Sequence, residues 1–363
     1  MTGFNRCSLI LLALLLVPQG LTANPIISHW VAYSPSGSWQ PGQVADSSLI
    51  WHDLRVLSEF HFCGLTTYGT LDSLCTVPRL ARRFGFEPIV MGVWIDSNET
   101  LNRRSIELAI EYHADADAIC VGNEALFFNR VDTSYLQWAM DTIRTATGKP
   151  VTTSEHWTMY SRPGYQQWLL RNCDFLFPIL NPTDNGIHEP GPGVDWVMDQ
   201  LGSIETMAGD SLGVILKEAG WPTNSDDPPQ REWANEASQY SFLNELSGRF
   251  GGDTLYFCFE AFDGWWKTGD PTQPYWGLFD SARLPKLYAG GLGIEESRGY
   301  LPARSRPRAP TPTLLGRIGW SDMLYDAAGQ RVPGARARTG VYFLRGEGIR
   351  GVSKRVSKVV IAR

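Results

Sequence analysis

The chain has 363 residues, of which 43% are hydrophobic and 19% charged, so it has the length and composition of a globular protein with one barrel-sized domain and a small addition. The formal net charge of −6 is unevenly divided, because residues 297–363 carry +11 and residues 1–296 carry −17. An acidic main part argues against a nucleic-acid partner, since phosphate binding is driven by positive charge.

The first 23 residues have the pattern of a signal peptide. Arg6 precedes an apolar run from Leu9 to Val17, which is too short to span a bilayer comfortably. Leu21-Thr22-Ala23 then offers a cleavage site of small residues. We therefore predict cleavage after Ala23 and a secreted or cell-surface protein. The sequence shows no later segment that is long and apolar enough to span a membrane. We also expect the protein to be a monomer.

From Ile26 onward, short apolar runs typical of strands alternate with helical patterns. Eight such runs with intervening helices predict an α/β fold, a (β/α)8 TIM barrel over residues 24–296, rather than an open sheet. Gly148 and Gly248 provide stop signals for two of the helices. The predicted strands are Trp30–Tyr33, Gly64–Tyr68, Ile89–Trp94, Ala118–Gly122, Val151–Ser154, Phe175–Leu180, Gly213–Lys217 and Leu255–Phe259, and the clearest helices are Ser73–Phe84, Ser134–Thr147 and Trp233–Leu246.

Two glutamates occupy matched positions in this pattern. Glu124 ends the run Ala118–Glu124, and Glu218 ends an apolar run before the turn Ala219–Pro222. The carboxyl ends of the strands are where barrels of this kind carry their chemistry. A pair of carboxyl groups is what hydrolysis or transfer of a glycosidic bond requires. A lone glutamate would more often cap a helix or pair with an arginine, but two at matched strand ends favour catalysis.

Aromatic residues are abundant, with 14 Trp, 13 Tyr and 16 Phe. Flat rings along a cleft stack on sugar faces, although a large core also holds many aromatics. The amide of Asn123 could bind a substrate hydroxyl beside the reacting carbon. For His156, next to Glu155, two interpretations have equal support: a polar residue of the cleft, or a base.

Cysteine and histidine spacing gives no sign of a metal. Without Cys7 an odd number of cysteines remains and there is no CxxC pair, so neither a disulfide framework nor a zinc site is expected. Cys63 with Cys75 is the one pairing that merits a test. The histidines form no ligand-spaced pair, and we predict no metal and no cofactor.

The end of the chain changes character. Residues 297–313 form a linker rich in proline and arginine. Residues 314–363 contain three β-like runs, Asp322–Tyr325, Gly340–Arg345 and Val356–Ile361. They predict a small all-β segment.

Several motifs together resemble glycoside hydrolase family 17, the β-1,3-glucanases and related glucanosyltransferases with a (β/α)8 barrel. The resemblance covers about residues 26–288 and rests mainly on Asn123-Glu124 and Glu218-Ala219-Gly220-Trp221-Pro222. The other segments are Val31–Pro35, Thr67–Gly69, Gly92–Trp94, Thr152–Glu155, Phe259–Asp263 and Trp276–Phe279.

The resemblance implies roles for individual residues. Glu124 would be the general acid/base and Glu218 the nucleophile of a retaining double displacement. Glu260 and Asp263 would position substrate, with Glu260 the rival for a catalytic role because it too ends an apolar run. The residues that would line the sugar subsites are Tyr33, Tyr68, Trp94, Trp157, Trp221, Trp265 and Trp266.

One segment departs from the family pattern. After the sixth strand the family has an aromatic-rich stretch, whereas this chain has Leu180–Gly186, Leu-Asn-Pro-Thr-Asp-Asn-Gly. The glucan linkage and chain-length preference therefore stay open. So do three functions: hydrolysis of β-1,3-glucan, glucan transfer with the same carboxylates, and non-catalytic glucan binding at the cell surface. Each has a β-glucan polysaccharide or oligosaccharide as partner.

The final segment has a resemblance of its own. Tyr325–Val332, Thr339–Arg345 and Lys358–Ile361 are similar to a bacterial type IX secretion sorting domain, a small β-sandwich. This resemblance implies a role in location rather than chemistry. The alternative is a β appendage that stabilises the barrel.

Overall fold

A computed structural model describes residues 29–250 and 256–298, together with four strands farther along the chain. The chain divides into two compact units, Met1–Gly299 and Tyr300–Arg363. The predicted signal peptide and nearly all of the predicted linker lie outside the described residues. None of the helices that the structure describes combines the length and hydropathy needed to cross a membrane.

The first unit contains a closed barrel of parallel strands in sequential order, β1 to β8, which confirms the predicted (β/α)8 fold. The strands are β1 His29–Ala32, β2 Phe62–Thr66, β3 Ile89–Val93, β4 Ala118–Asn123, β5 Val151–His156, β6 Phe177–Ile179, β7 Leu216–Gly220 and β8 Tyr256–Phe259. The helices are α1 Ser47–Glu59, α2 Val77–Arg83, α3 Glu99–Tyr112, α4 Thr133–Thr147, α5 Trp157–Ser161, α6 Pro163–Asn172, α7 Pro190–Ala208, α8 Glu236–Phe250 and α9 Leu287–Arg298.

Local sequence signals explain several helix boundaries. The Asp132 side chain accepts a hydrogen bond from the Tyr135 backbone N–H and begins α4, and Gly148 ends it in the left-handed conformation at φ 65°. Gly248, predicted as a stop signal, lies inside α8, which continues to Phe250. The predicted helix Ser73–Phe84 is a 3-10 turn followed by the shorter α2.

An aromatic plug fills the barrel interior at the amino-terminal halves of the strands. The rings of Trp30 and Phe257 lie 5.0 Å apart, and Phe257 also contacts Phe177. Gly64 makes room for the plug, because a Cβ there would lie 2.2 Å from the Trp30 ring. These apolar side chains close the interior at this end of the barrel.

No disulfide joins Cys63 to Cys75, and Cys120, Cys173 and Cys258 are also thiols.

In the second unit, an antiparallel sheet has the strand order β10-β9-β11-β12. Its strands are β9 Met323–Tyr325, β10 Arg331–Val332, β11 Gly340–Arg345 and β12 Val356–Ile361.

Candidate active site

Four elements bring polar side chains together at the carboxyl end of the barrel. Glu124 follows β4, Glu218 lies in β7, Glu260 follows β8 and Tyr68 follows β2. The Tyr68 hydroxyl donates a 2.9 Å hydrogen bond to Glu218 Oε1. Burial raises the pKa of Tyr68 well above its usual value, and the charges of Glu218, Glu260 and Glu124 raise it further. The Tyr68 hydroxyl thus interacts electrostatically with all three carboxyl groups.

The carboxyl group of Glu124 lies just after the end of β4 in surroundings that favour its protonated form. Its backbone has a φ of 53°, and its N–H donates to the Ser154 carbonyl at 2.7 Å, which fixes the residue at the rim. Burial, and then repulsion from the Glu218 carboxylate, raise the pKa of Glu124 from 4.5 to about 8. The carboxyl is therefore mostly protonated at neutral pH and can donate a proton.

Glu218 is buried, with 4% of its surface exposed. Its Oε1 accepts two hydrogen bonds, from the Tyr68 hydroxyl at 2.9 Å and from Lys217 Nζ at 3.1 Å. The lysine also carries a positive charge into direct contact with the carboxylate. These contacts hold the Glu218 side chain in a fixed position.

Glu260 and Asp263 both form ion pairs with lysines from the loop that follows β8. Glu260 is 1% exposed, and its Oε1 lies 2.5 Å from Lys267 Nζ. Asp263 accepts from Lys286 Nζ at 2.6 Å and from the Gly277 N–H at 2.9 Å. Burial raises the pKa of both carboxyls, while their lysines oppose the shift. Both side chains therefore lie at the same end of the barrel with their charges compensated.

Several of the predicted sugar platforms lie at the rim. The Arg130 guanidinium covers the Trp94 ring at 4.6 Å and the Phe128 ring at 5.0 Å. Trp157 donates its indole N–H to Asn185 Oδ1 at 3.1 Å. Beyond β8, Trp265 is 51% exposed, and Trp266 meets Trp39 edge to face with ring centroids 6.0 Å apart.

Two predicted platforms lie in the core instead of on the cleft surface. Trp221 is 0% exposed; its indole N–H donates to the Trp233 carbonyl and its ring packs on Phe242. Tyr33 is 2% exposed, and its hydroxyl donates to Asp53 at 2.9 Å. Both follow a strand end, where the chain turns away from the barrel axis, so their rings fill the space between strands and helices.

Glu155 supports the loop that carries Glu124, a role the sequence did not reveal. Its two carboxylate oxygens accept from the backbone N–H groups of Leu126 and Phe127, each at 3.0 Å. Burial raises the pKa of Glu155 to about 7, although those two N–H groups oppose the shift. The residue therefore holds the segment directly after Glu124.

His156 lies on the same wall and stacks on Phe127 with ring centroids 4.3 Å apart. Burial lowers its pKa to about 4, so the imidazole is neutral above that pH. The loop after β6, which departs from the family pattern, is a 3-10 turn over Pro182–Asn185. Its Asp184 is near enough to raise the pKa of Glu124.

Lys217, Lys267 and Arg130 also contact residues of the site, and sequence reasoning missed them. Lys217 had a usable signal, because a lysine inside an apolar strand run is seldom buried without a charged partner. Lys267 and Arg130 had none, since each lies in a loop whose path the local sequence does not specify.

Comparison with known proteins is consistent with this geometry. Residues 31–277 match a family model described as the BtgE/BtgC glycoside hydrolase domain. The chain is 30% identical over 244 residues to a probable glucan endo-1,3-beta-glucosidase btgC of Aspergillus fumigatus. This alignment covers 58% of this chain and 34% of the Aspergillus protein. It is 26% identical over 243 residues to a glucan 1,3-beta-glucosidase of Schizosaccharomyces pombe, covering 61% of this chain and 74% of the relative.

A solved structure shares the fold. An active-site mutant of the Rhizomucor miehei beta-1,3-glucanosyltransferase in complex with laminaritriose superposes with a TM-score of 0.62 at 17% identity. The match covers 73% of this chain and 97% of that one. By contrast, this chain spans about a third of the length of the Aspergillus relatives it matches.

Proposed function

Because this chain belongs to the BtgE/BtgC glycoside hydrolase family, we propose that it hydrolyses β-1,3-linked glucan through a covalent glycosyl-enzyme intermediate. Membership confirms, at the level of the family, the resemblance to glycoside hydrolases drawn from the sequence. The observation that carries the proposal is the contrast between two neighbouring glutamates. Glu124 has a pKa raised to about 8, whereas Glu218 accepts hydrogen bonds from Tyr68 and Lys217.

In the first step, the Glu124 carboxyl gives its proton to the glycosidic oxygen as the bond from that oxygen to the anomeric carbon breaks. A Glu218 oxygen attacks the same carbon from the opposite face and forms an ester. Since Tyr68 and Lys217 both donate to Oε1, attack falls to Oε2. The leaving sugar departs with the proton from Glu124.

In the second step, Glu124 acts as a base. Formation of the ester removes the negative charge of Glu218, which is one cause of the raised pKa of Glu124. The pKa of Glu124 therefore falls once the ester is made, and its carboxylate can take a proton from water. That water attacks the anomeric carbon, Glu218 leaves as a carboxylate, and the product keeps its original configuration.

Transfer to a second sugar uses the same carboxylates, so glucanosyl transfer is the alternative for this site. A sugar hydroxyl would then replace water in the second step. Laminaritriose bound to the Rhizomucor glucanosyltransferase supports a β-1,3-glucan ligand for this barrel type. Non-catalytic glucan binding is the weaker alternative, because a proton donor and a carboxylate both stand at the site.

The decisive experiment follows the purified chain on laminarin by proton NMR. The first reducing end to appear should be the β anomer, since retention transfers the substrate's configuration to the product. A first product with the α anomer would contradict the Glu124–Glu218 assignment. Adding laminaritriose as acceptor separates the two reactions, because transfer yields longer oligosaccharides and hydrolysis does not.

The nucleophile is identified by trapping. A 2-deoxy-2-fluoro glucoside with a good leaving group should label the peptide that contains Glu218. Glu218→Gln should abolish labelling and turnover but keep glucan binding, and Glu260→Gln is the matched control that should still be labelled. Label on the Glu260 peptide would transfer the nucleophilic role to that residue.

A second proposal concerns residues 297–363 and assigns them a role in where the protein is located rather than in catalysis. We propose that residues 24–296 are the catalytic domain of an exported protein, that residues 297–313 are a linker, and that residues 314–363 form a β segment with a sorting role. Support comes from the charge reversal near residue 297 and the separate antiparallel sheet of the second unit. A chain ending at Gly299 should keep the kcat of the full chain on laminarin and accumulate elsewhere in the native host. Loss of that activity would overturn the proposal.

A further inference from the structure

Lys217 is the least expected side chain in the site. It lies in β7 beside Glu218 and is 1% exposed, one of the largest fully buried side chains of the described structure. A buried lysine is costly unless its charge is compensated and its N–H groups find acceptors. The groups that contact the Lys217 ammonium therefore indicate its role in the site.

The ammonium group has a partner in three directions. It donates to Asn123 Oδ1, at the end of β4, and to Glu218 Oε1 at 3.1 Å. It also lies 4.2 Å from the centroid of the Tyr68 ring, near enough for a cation–π contact. The partners come from three separate parts of the barrel, so Lys217 ties β4, β7 and the loop after β2 together at the reaction centre.

An ammonium group only donates hydrogen bonds. The Asn123 side chain must therefore turn its carbonyl oxygen to Lys217, and its NH₂ group is left to the opposite side. A rotated amide would set NH₂ against the ammonium and lose the bond. For Glu218, the same lysine and the Tyr68 hydroxyl bind one oxygen and leave the other for attack.

We propose that Lys217 is a positioning residue, which fixes the Asn123 amide with its NH₂ group available to a sugar hydroxyl and fixes Glu218 in its attacking orientation. The inference rests on the proposed function and assigns Lys217 no contact with the sugar. Its action passes through Asn123 and Glu218, so removing it should affect both binding and the chemical step.

The lysine also sets the electrostatic balance around the proton donor. The charged groups that act on Glu124 are Glu218 and Lys217 from β7, Glu155 from β5 and Asp184 from the loop after β6. Lys217 is the cation of this set. Its removal takes away a positive charge that lowers the pKa of Glu124, so Glu124 should hold its proton to higher pH.

The test compares the full-length Lys217→Met variant with Lys149→Met, a matched loss of one lysine at the opposite end of the barrel, where Lys149 Nζ donates to the Ala116 carbonyl. For Lys217→Met we expect a fall in kcat/KM on laminarin of about tenfold to a hundredfold. The alkaline limb of its pH profile should move up by about one pH unit. Lys149→Met should behave as the wild type. An unchanged alkaline limb in Lys217→Met overturns the proposal.

A second variant decides the matter if Lys217→Met does not fold. Asn123→Asp keeps an acceptor for the ammonium but has no N–H for the sugar, so its KM for laminarin should rise about tenfold. An unchanged KM would show that the fixed amide does not bind substrate and would overturn the proposal. Failure of the proposed function is seen separately, as absence of laminarin cleavage by the wild-type chain.

Discussion

Replacing Glu124 with Gln should make the protein more stable at neutral and alkaline pH, although it removes the proton donor. The folded protein raises the pKa of Glu124 from 4.5 to about 8, chiefly through burial and the Glu218 charge. In the unfolded chain the carboxyl ionises near its ordinary value. Between those two pH values the folded state binds more protons than the unfolded state, so the free energy of unfolding falls as pH rises.

The magnitude follows from the size of the shift. Each pKa unit corresponds to 1.36 kcal/mol, so the shift from 4.5 to about 8 lowers stability by up to about 5 kcal/mol above pH 8. Water reaches part of the Glu124 side chain, which reduces the expected value to about 2–4 kcal/mol. Glutamine has the same shape and no charge, so it should recover this free energy.

Chemical denaturation at a series of pH values is the assay. Glu124→Gln and the wild type should differ little at pH 4 and diverge progressively up to pH 8, where the variant is more stable. Glu205→Gln, which removes an exposed glutamate of α7, is the control and should track the wild type throughout. If the Glu124→Gln and wild-type curves run parallel from pH 4 to pH 8, Glu124 does not carry the raised pKa and the acid/base assignment fails.

Two further predictions concern activity and the core. For the wild type, kcat/KM on laminarin should decline above about pH 8, where Glu124 loses its proton. The pH profile of Glu124→Gln should lack this alkaline decline. A wild-type kcat/KM that stays level up to pH 10 would contradict the prediction. Asp53→Asn should lower the free energy of unfolding by about 2–4 kcal/mol, because the buried carboxylate binds Arg283, Ser36 and the Tyr33 hydroxyl. Denaturation measures this loss, and a change below about 0.5 kcal/mol, as for an ordinary surface substitution, would refute the argument.

Sequence alone determined the barrel, because the periodicities of strands and helices are local properties. Eight strands that alternate with helices commonly close into a parallel barrel, as they do here. It also located Glu124 and Glu218, since in a parallel barrel every strand's carboxyl end lies on the same face. Local rules were weaker for helix ends, where Gly248 lies inside α8 because packing extended the helix beyond its stop signal.

Tertiary structure decided which side chains meet. Tyr68 and Glu218 are 150 positions apart and Lys217 and Asn123 are 94 apart, so no window of sequence contains either pair. It likewise decided that Trp221 and Tyr33 lie in the core, because a strand end does not specify whether the next side chain turns inward or outward. The positions of Glu124 and Glu218 at strand ends therefore follow from local sequence, but the contacts among Lys217, Tyr68, Asn123 and Glu218 form only when the barrel closes.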